Sequence, residues 1–451
     1  MKKVLILGAG LVARPMVEYL LERGISVTVA SRTRSRADEM IKGYRNGLAV
    51  AWTVDDTDKL QEMVSSHDMV VSLLPYVHHI VVAETCIRCK KNMVTTSYVK
   101  PEMQALDEAA RQAGIIILNE IGVDPGIDHM SAMKIIDQVH HKGGKILEFY
   151  SITGALPAPE AADNPFRYKF SWSPRGVIMA GNNDGKYLKD GKTVNIPTER
   201  LFRNPNAVDF PGIGTLEYYP NRDAVSYIDI YKIPEVLTMY RGTFRYPGWC
   251  ETIDVMKQLK LISYDKIPLA GRTYAGMVAH LCGFSDATGI REKVAAKLNI
   301  SPDAHALKAL QWLGMFDDTP VGREEDSPFE VTSDLMIRKM ELGRDEHDMI
   351  VMQHTFVAGF DDGRKEVIIS RLLDFGTPAT NTSVARTVSL PAAIAVRMIL
   401  EGDIGLVGVH RPTLPVIYQP VLDELLEQGI TLTEEHGLPE SAGIKLDQKA
   451  R

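Results

Sequence analysis

The stretch Val4-Leu5-Ile6-Leu7-Gly8-Ala9-Gly10-Leu11-Val12-Ala13-Arg14-Pro15 decides the fold. Val4 to Leu7 is an uninterrupted apolar run, the pattern of a short strand buried on both faces. Gly8-x-Gly10-x-x-Ala13 follows without a spacer. In such a turn the first glycine allows the tight bend. The second lets a pyrophosphate approach the backbone, and the small third residue lets the next helix lie against the strand. That helix turns its unpaired N–H groups toward the phosphates. Pro15 suits a first helical turn, where its missing N–H costs little. Val12, Met16 and Leu20 fall on one helical face, and Gly24 is a suitable stop. A lone glycine fingerprint is weak evidence. One held between a strand and a helix predicts a nucleotide site.

A second strand, residues 26–30, runs into Ser31-Arg32-Thr33. An NAD site usually carries Asp or Glu here for the ribose 2′-hydroxyl. An Arg between two hydroxyl residues suits a 2′-phosphate instead, so the expected cofactor is NADP(H). The competing reading is a solvated Arg on a basic loop with Arg34 and Arg36.

Up to about residue 119, apolar strands (4–7, 27–30, 48–54, 69–73, 93–96 and 115–118) alternate with helical patterns (58–66, 77–90 and 101–113). Repeated βα units predict an α/β fold: a parallel sheet, helices on both faces, and ligand loops at the strand C-termini. Three such loops are chemically marked: Leu73-Leu74-Pro75-Tyr76, Thr95-Thr96-Ser97-Tyr98, and the run from Asn119 to His129. The last contains Glu120, Val123, Asp124, Pro125, Gly126 and Asp128 and opens a helix to about residue 141. Asp124 and Asp128 either belong to a site or cap that helix.

After residue 145 the texture changes. A strand over 146–154 precedes a polar, aromatic-rich region, then short strands and turns to about residue 246. Two stretches there set Arg among sheet-like residues: Tyr219-Pro220-Asn221-Arg222-Asp223 and Arg241-Gly242-Thr243-Phe244-Arg245-Tyr246. Residues 251–317 read as helices, 333–342 as another helix, and 348–356 with 365–373 as paired strands. Residues 384–401 form an apolar helix. From Gly402 the chain reads as a proline-bearing tail whose charged end is predicted to be mobile.

A length of 451 residues accommodates two or three domains with sizeable cores. A net charge of −7 argues against nucleic acid as a partner. No apolar run approaches membrane-spanning length, and the one after Lys2-Lys3 is too short for a signal peptide. Cys86-x-x-Cys89 has no second pair to complete a zinc site and lies in a helical pattern. The expectation is therefore no structural metal, no membrane and a reducing cytoplasm.

Taken in order, segments 8–15, 31–33, 95–98, 120–129, 156–160, 164–165, 168–173, 219–223 and 241–245 resemble the saccharopine reductases, the NADP-dependent, glutamate-forming saccharopine dehydrogenases. The resemblance covers essentially the whole chain. Departures are mild. Ser31 and Val123 stand where relatives often carry Cys and Leu, Thr153-Gly154-Ala155 replaces a Gly-Gly, Phe244 replaces a Leu, and residues 251–317 match poorly.

The resemblance implies a Rossmann dinucleotide-binding domain (1–125, with 385–451 returning to it). It adds a mixed-sheet α+β substrate domain (126–250 and 331–384) and a small helical domain (251–330). The implied activity is NADPH-dependent condensation of L-α-aminoadipate-δ-semialdehyde with L-glutamate, through an imine, to saccharopine. Some relatives run the reverse reaction in lysine breakdown, mostly with NAD; Arg32 leans toward synthesis. A related imine reductase such as a carboxynorspermidine-type synthase, and a non-catalytic dinucleotide sensor, stand as alternatives. Small-molecule substrates and a homodimer are the expected partners.

By resemblance, Gly8, Ala9, Gly10, Leu11 and Val12 meet the pyrophosphate, and Ser31, Arg32 and Thr33 the 2′-phosphate. Thr53, Val54 and Leu74 run along the adenosine and bridging portions. Thr96, Ser97, Val123, Asp124, Pro125 and Ser173 lie near the nicotinamide. Ser97, Tyr98, Asp124, Arg222, Thr243, Phe244 and Arg245 are the implied substrate residues, and the arginines suit a substrate with three carboxylates. The chemistry removes a proton from glutamate's amine and delivers one to a carbinolamine. Asp124 is the first candidate for that work and Tyr98 a weaker one. His129 reads as a helix residue with a satisfied ring.

Overall fold

The computed structural model describes residues 1–446, and the chain divides into two compact units. The first holds residues 1–145, 360–362 and 370–435; the second holds 146–359, 363–369 and the segment from 436. The charged end of the predicted tail, residues 447–451, lies outside the described residues.

In the first unit the elements run β1 (Lys3–Leu7), α1 (Arg14–Glu22), β2 (Ser26–Ser31), α2 (Arg34–Met40), β3 (Gly47–Ala51), α3 (Thr57–Ser66), β4 (Met69–Ser72), α4 (His79–Cys89), β5 (Asn92–Val94), α5 (Pro101–Gln104), α6 (Asp107–Ala113), β6 (Ile116–Leu118) and α7 (Ile127–His141). Val4 to Leu7 are fully buried, as a strand covered by helices on both faces requires. Pro15 sits in the first turn of α1, which begins at Arg14, so Val12 lies in the turn before the helix. The Asp56 side chain accepts from Lys59 N and starts α3.

Among the described residues the sheet has seven strands, in the order Gly408–His410, β6, β5, β4, β1, β2, β3. Every pair is parallel. The chain steps outward from β1 to β3 and then returns to β4 on the other side of β1. That reversal opens a crevice at the strand C-termini between β1 and β4.

The segment after Gly402 is more ordered than its prolines suggest. It carries the strand Gly408–His410, the helix Pro415–Glu427 and the strand Leu432–Leu438. Pro415 falls in a first helical turn, where it breaks no hydrogen bond. Tyr418 Oη donates to Asp137 Oδ2 at 2.6 Å, tying this helix to α7. The helix Ser383–Glu401 has the length and apolarity of a membrane span, which the sequence reading did not anticipate. Most of it is buried, and it packs against α1 as a core helix.

The second unit is built on a mixed sheet in which Thr238–Arg245 is the pivotal strand. It runs parallel to Lys145–Pro157 and antiparallel to Gly214–Pro220. Strand geometry sorts its side chains: Arg241, Thr243 and Arg245 face one way, Tyr240 and Phe244 the other. Gly154 is required for the second face, because a Cβ there would sit 2.8 Å from the Phe244 Cβ. The helices Trp249–Gln258, Tyr274–Cys282, Ile290–Leu298 and His305–Leu313 belong to this unit and form no third one. Aromatic packing is the physical reason: Phe166 meets the rings of both Trp249 and Trp312.

Candidate active site

At the β1/β4 crevice lies a cavity of about 520 Å³, lined by Gly8, Ala9, Gly10, Ser31, Arg32, Thr33, Thr53, Val54 and Leu74 among others. Gly8 has φ +113°, and a Cβ there would lie 3.1 Å from Leu73 O, so only glycine makes this bend. At Gly10 a Cβ would meet nothing within 4 Å, which leaves open space where a pyrophosphate would lie. The Thr33 amide donates to Ser31 Oγ at 3.3 Å and shapes the turn after β2. Arg34 pairs with Asp38 at 3.5 Å, whereas Arg32 and Arg36 have no ion-pair partner among the described residues. Two uncommitted guanidiniums in a cavity without an acid at the β2 end fit a 2′-phosphate. Leu11 is exposed and Val12 half-buried; neither side chain lines the cavity, so their contribution is confined to backbone N–H groups.

Two of the three marked loops, 95–98 and 119–129, are joined by hydrogen bonds. Tyr98 Oη donates to Asp124 Oδ1 at 3.1 Å, which brings the two proton-handling candidates together. Glu120, at φ +57°, turns its buried carboxylate back into the loop. It accepts from Val99 N at 2.8 Å and Arg411 Nε at 2.9 Å, and lies 2.8 Å from His129 Nε2. Burial pushes the Glu120 carboxyl up, but the His129 hydrogen bond and the Arg411 charge outweigh it and hold the group below its ordinary range. Asp128 is fully buried and accepts from Gly126 N and His129 N at 2.6 and 2.8 Å, so it holds the start of α7. His129 is buried between Glu120 and Asp128 and is a positioning residue.

His79 escaped the sequence reading. It is buried, with Nδ1 2.8 Å from Ser72 Oγ and Nε2 2.8 Å from Ser97 Oγ. Burial pushes its pKa down to about 4. A neutral ring donates at one nitrogen and accepts at the other, so it fixes the orientation of the Ser97 hydroxyl. Nothing in the linear pattern marks this; His78-His79 reads as an ordinary helix start. Arg36, Trp52 and Asp55 also line the cavity without having been expected there.

In the second unit Thr243 and Arg245 project from the same face. Arg245 is only 4% exposed. One of its terminal nitrogens donates to Phe244 O at 2.7 Å, its Nε has no partner, and no carboxylate pairs with it among the described residues. The rings of Tyr168 and Trp249 flank it at 5.0 and 5.3 Å and compensate the charge only weakly. Its cross-strand neighbour Glu217 is turned to Cys250 N at 2.7 Å. The Phe244 side chain is fully buried on the opposite face against Phe210 and Tyr218, which leaves its backbone as the part that can meet a ligand beside Arg245. Arg222 is exposed, with φ +55°. Ser173 precedes the helix Pro174–Ala180.

Family comparison gives two adjoining matches. Residues 4–118 match the Saccharopine dehydrogenase NADP binding domain and residues 122–430 the Saccharopine dehydrogenase C-terminal domain. The chain belongs to the saccharopine dehydrogenase family. A saccharopine dehydrogenase [NADP(+), L-glutamate-forming] from Schizosaccharomyces pombe is 39% identical, over 96% of this chain and 99% of that protein. Its counterpart from Saccharomyces cerevisiae is 37% identical with the same coverage. A mitochondrial alpha-aminoadipic semialdehyde synthase from Bos taurus is 38% identical, but the match takes up only 48% of its length. The solved structure of apo saccharopine dehydrogenase (L-Glu forming) from Saccharomyces cerevisiae superposes with a TM-score of 0.89 at 35% identity, covering 97% of this chain and all of that one.

Residues 4–118 of the first unit are thus the NADP-binding domain of a saccharopine dehydrogenase, and the cavity they line fits that cofactor. A buried guanidinium without a counter-ion costs on the order of 3–5 kcal/mol in a folded protein. Its persistence at Arg245 marks a place prepared for an anion.

Proposed function

We propose that this protein is a saccharopine reductase. It condenses L-α-aminoadipate-δ-semialdehyde with L-glutamate and reduces the resulting imine to saccharopine, in the direction of lysine synthesis. Bound NADPH supplies the hydride. Gly8 and Gly10 admit its pyrophosphate, and Arg32 and Arg36 hold the 2′-phosphate, with Ser31 and Thr33 shaping that turn. Ser97, its hydroxyl oriented by His79, and Asp124, joined to Tyr98, serve the reacting end. The Asp124 carboxylate accepts the proton that glutamate's ammonium must lose, and Tyr98 relays one to the departing water. Arg245 and Arg222 take substrate carboxylates.

The observation that carries the substrate side is the buried, unpaired Arg245. A reductase acting on an uncharged imine has no use for such a group. The relatives' names support the reaction and the cofactor, and the lean toward synthesis rests on Arg32. The test is NADPH oxidation with glutamate and aminoadipate semialdehyde, repeated with NADH. Turnover with a strong NADPH preference supports the proposal. A preference for NADH turns it toward lysine breakdown, and NADPH binding without turnover sends the search to other amines. The reading extends to a cytoplasmic homodimer, which localisation of the tagged protein and sedimentation velocity check; four free thiols suit a reducing compartment.

A further inference from the structure

Thr153, a buried residue of the mixed sheet, has surroundings that give its hydroxyl a meaning. It stands on Lys145–Pro157, directly in register with Thr243 on the parallel neighbour strand. Paired residues on adjacent strands share a face. Gly154 belongs to the other face, since a Cβ there would collide with Phe244. Thr153 therefore points to the side of Thr243 and Arg245. It is 7% exposed, and its Oγ1 has no hydrogen-bond partner.

Two buried polar atoms on one sheet face, Thr153 Oγ1 and Arg245 Nε, are thus left without partners. Buried polar atoms are nearly always satisfied, so two exceptions within reach of each other on one face point to a single group that completes both. Arg245 lies two residues beyond Thr243, a diagonal neighbour of Thr153 roughly 8 Å away between Cα atoms, a span that a guanidinium side chain covers. One carboxylate has the oxygens to accept from both. We propose that Thr153 is a substrate-binding residue, donating its hydroxyl to the substrate carboxylate that pairs with Arg245. This rests on the reading of a polycarboxylate substrate given above.

The experiment compares the full chain with Thr153→Val, Thr153→Ala and Thr153→Ser. Saccharopine binding is read by calorimetry, NADPH binding by fluorescence, and the ligand-free protein by thermal melting. Thr153→Val keeps the shape and removes the hydroxyl. A hydrogen bond to a charged group is worth about tenfold or more in affinity, so saccharopine should bind about tenfold more weakly. NADPH affinity should stay within about twofold. The melting temperature of the ligand-free variant should not fall, because an unsatisfied buried hydroxyl has been removed; a merely structural hydroxyl would give the opposite. Thr153→Ser should bind saccharopine nearly as well as the parent. Thr153→Ala, which leaves a smaller residue, gives the same affinity reading if the valine variant fails to fold. Saccharopine binding unchanged by loss of the hydroxyl, or equal weakening for NADPH, overturns the proposal while leaving the substrate reading intact. A parent chain that binds no saccharopine overturns both.

Discussion

The two units prepare for their ligands in opposite ways. The first offers an open cavity whose fit is made by backbone: a left-handed Gly8, the clear space above Gly10, and two exposed arginines at its rim. The second offers a buried face on which Arg245 and Thr153 are held ready with unpaired atoms. An open, solvated site costs the free protein little stability and binds largely through backbone N–H groups and screened charge. A buried, incompletely satisfied site is destabilising until its ligand arrives and discriminates strongly against anything lacking the matching group.

The largest effect expected to sharpen this contrast comes from Arg245. Arg245→Ala should lower kcat/KM by about 10³-fold, the consequence of losing a desolvated charge partner for the substrate. Arg245→Met should show a comparable loss while melting no lower than the parent, since an uncompensated buried charge is gone. A clearly lower melting temperature would mean that the guanidinium is structural and would break the comparison. Next comes Asp124→Asn, with a drop of about 10²-fold in turnover and an altered pH profile if the carboxylate moves a proton. Nearly unchanged turnover across pH would remove it from acid–base chemistry.

Arg32→Ala with Arg36→Ala should weaken NADPH by about tenfold or more, an effect reduced by added salt, and leave NADH nearly unchanged. Equal losses for both nucleotides would contradict a 2′-phosphate site. The last effect is chiefly one of stability rather than binding or turnover. His79 has its pKa lowered from 6.5 to about 4 in the fold, so its neutral ring adds no penalty above pH 6.5. Stability should then decline as pH falls from 6.5 toward 4, where the unfolded chain binds the proton more readily. Urea midpoints measured against pH should show that limb in the parent and a shallower one in His79→Gln, with a modest loss of kcat because Ser97 is no longer held.

The sequence made the first unit readable because its signals are local. A strand, a glycine turn and a helix start lie within a dozen residues, and each glycine answers to a neighbour in the chain or to a phosphate. The seven-stranded order was not readable in full. The strand Gly408–His410 adds to β6 through pairing across almost three hundred residues, with Val409 N held by Asp107 Oδ1 at 2.7 Å. The prolines of that region read as a tail because linear patterning does not see such a partner. Residues 251–330 read as a domain because their helical periodicity is strong, but Trp249 and Trp312 both pack on Phe166 and the helices fall in one compact unit with the mixed sheet.

The site divides in the same way. Sequence alone marked the glycine turn, the basic loop after β2 and the loops holding Ser97, Tyr98 and Asp124, since these residues stand at consecutive positions at strand ends. Tertiary structure decided that Phe244 faces the core, that His79 grips Ser97, that Glu120 ties Val99, His129 and Arg411 together, and that Thr153 stands beside Thr243. The reason is physical. Spacing along the chain specifies conformation over a few residues, whereas burial, missing counter-charges and unpaired hydroxyls arise only when distant strands are laid side by side.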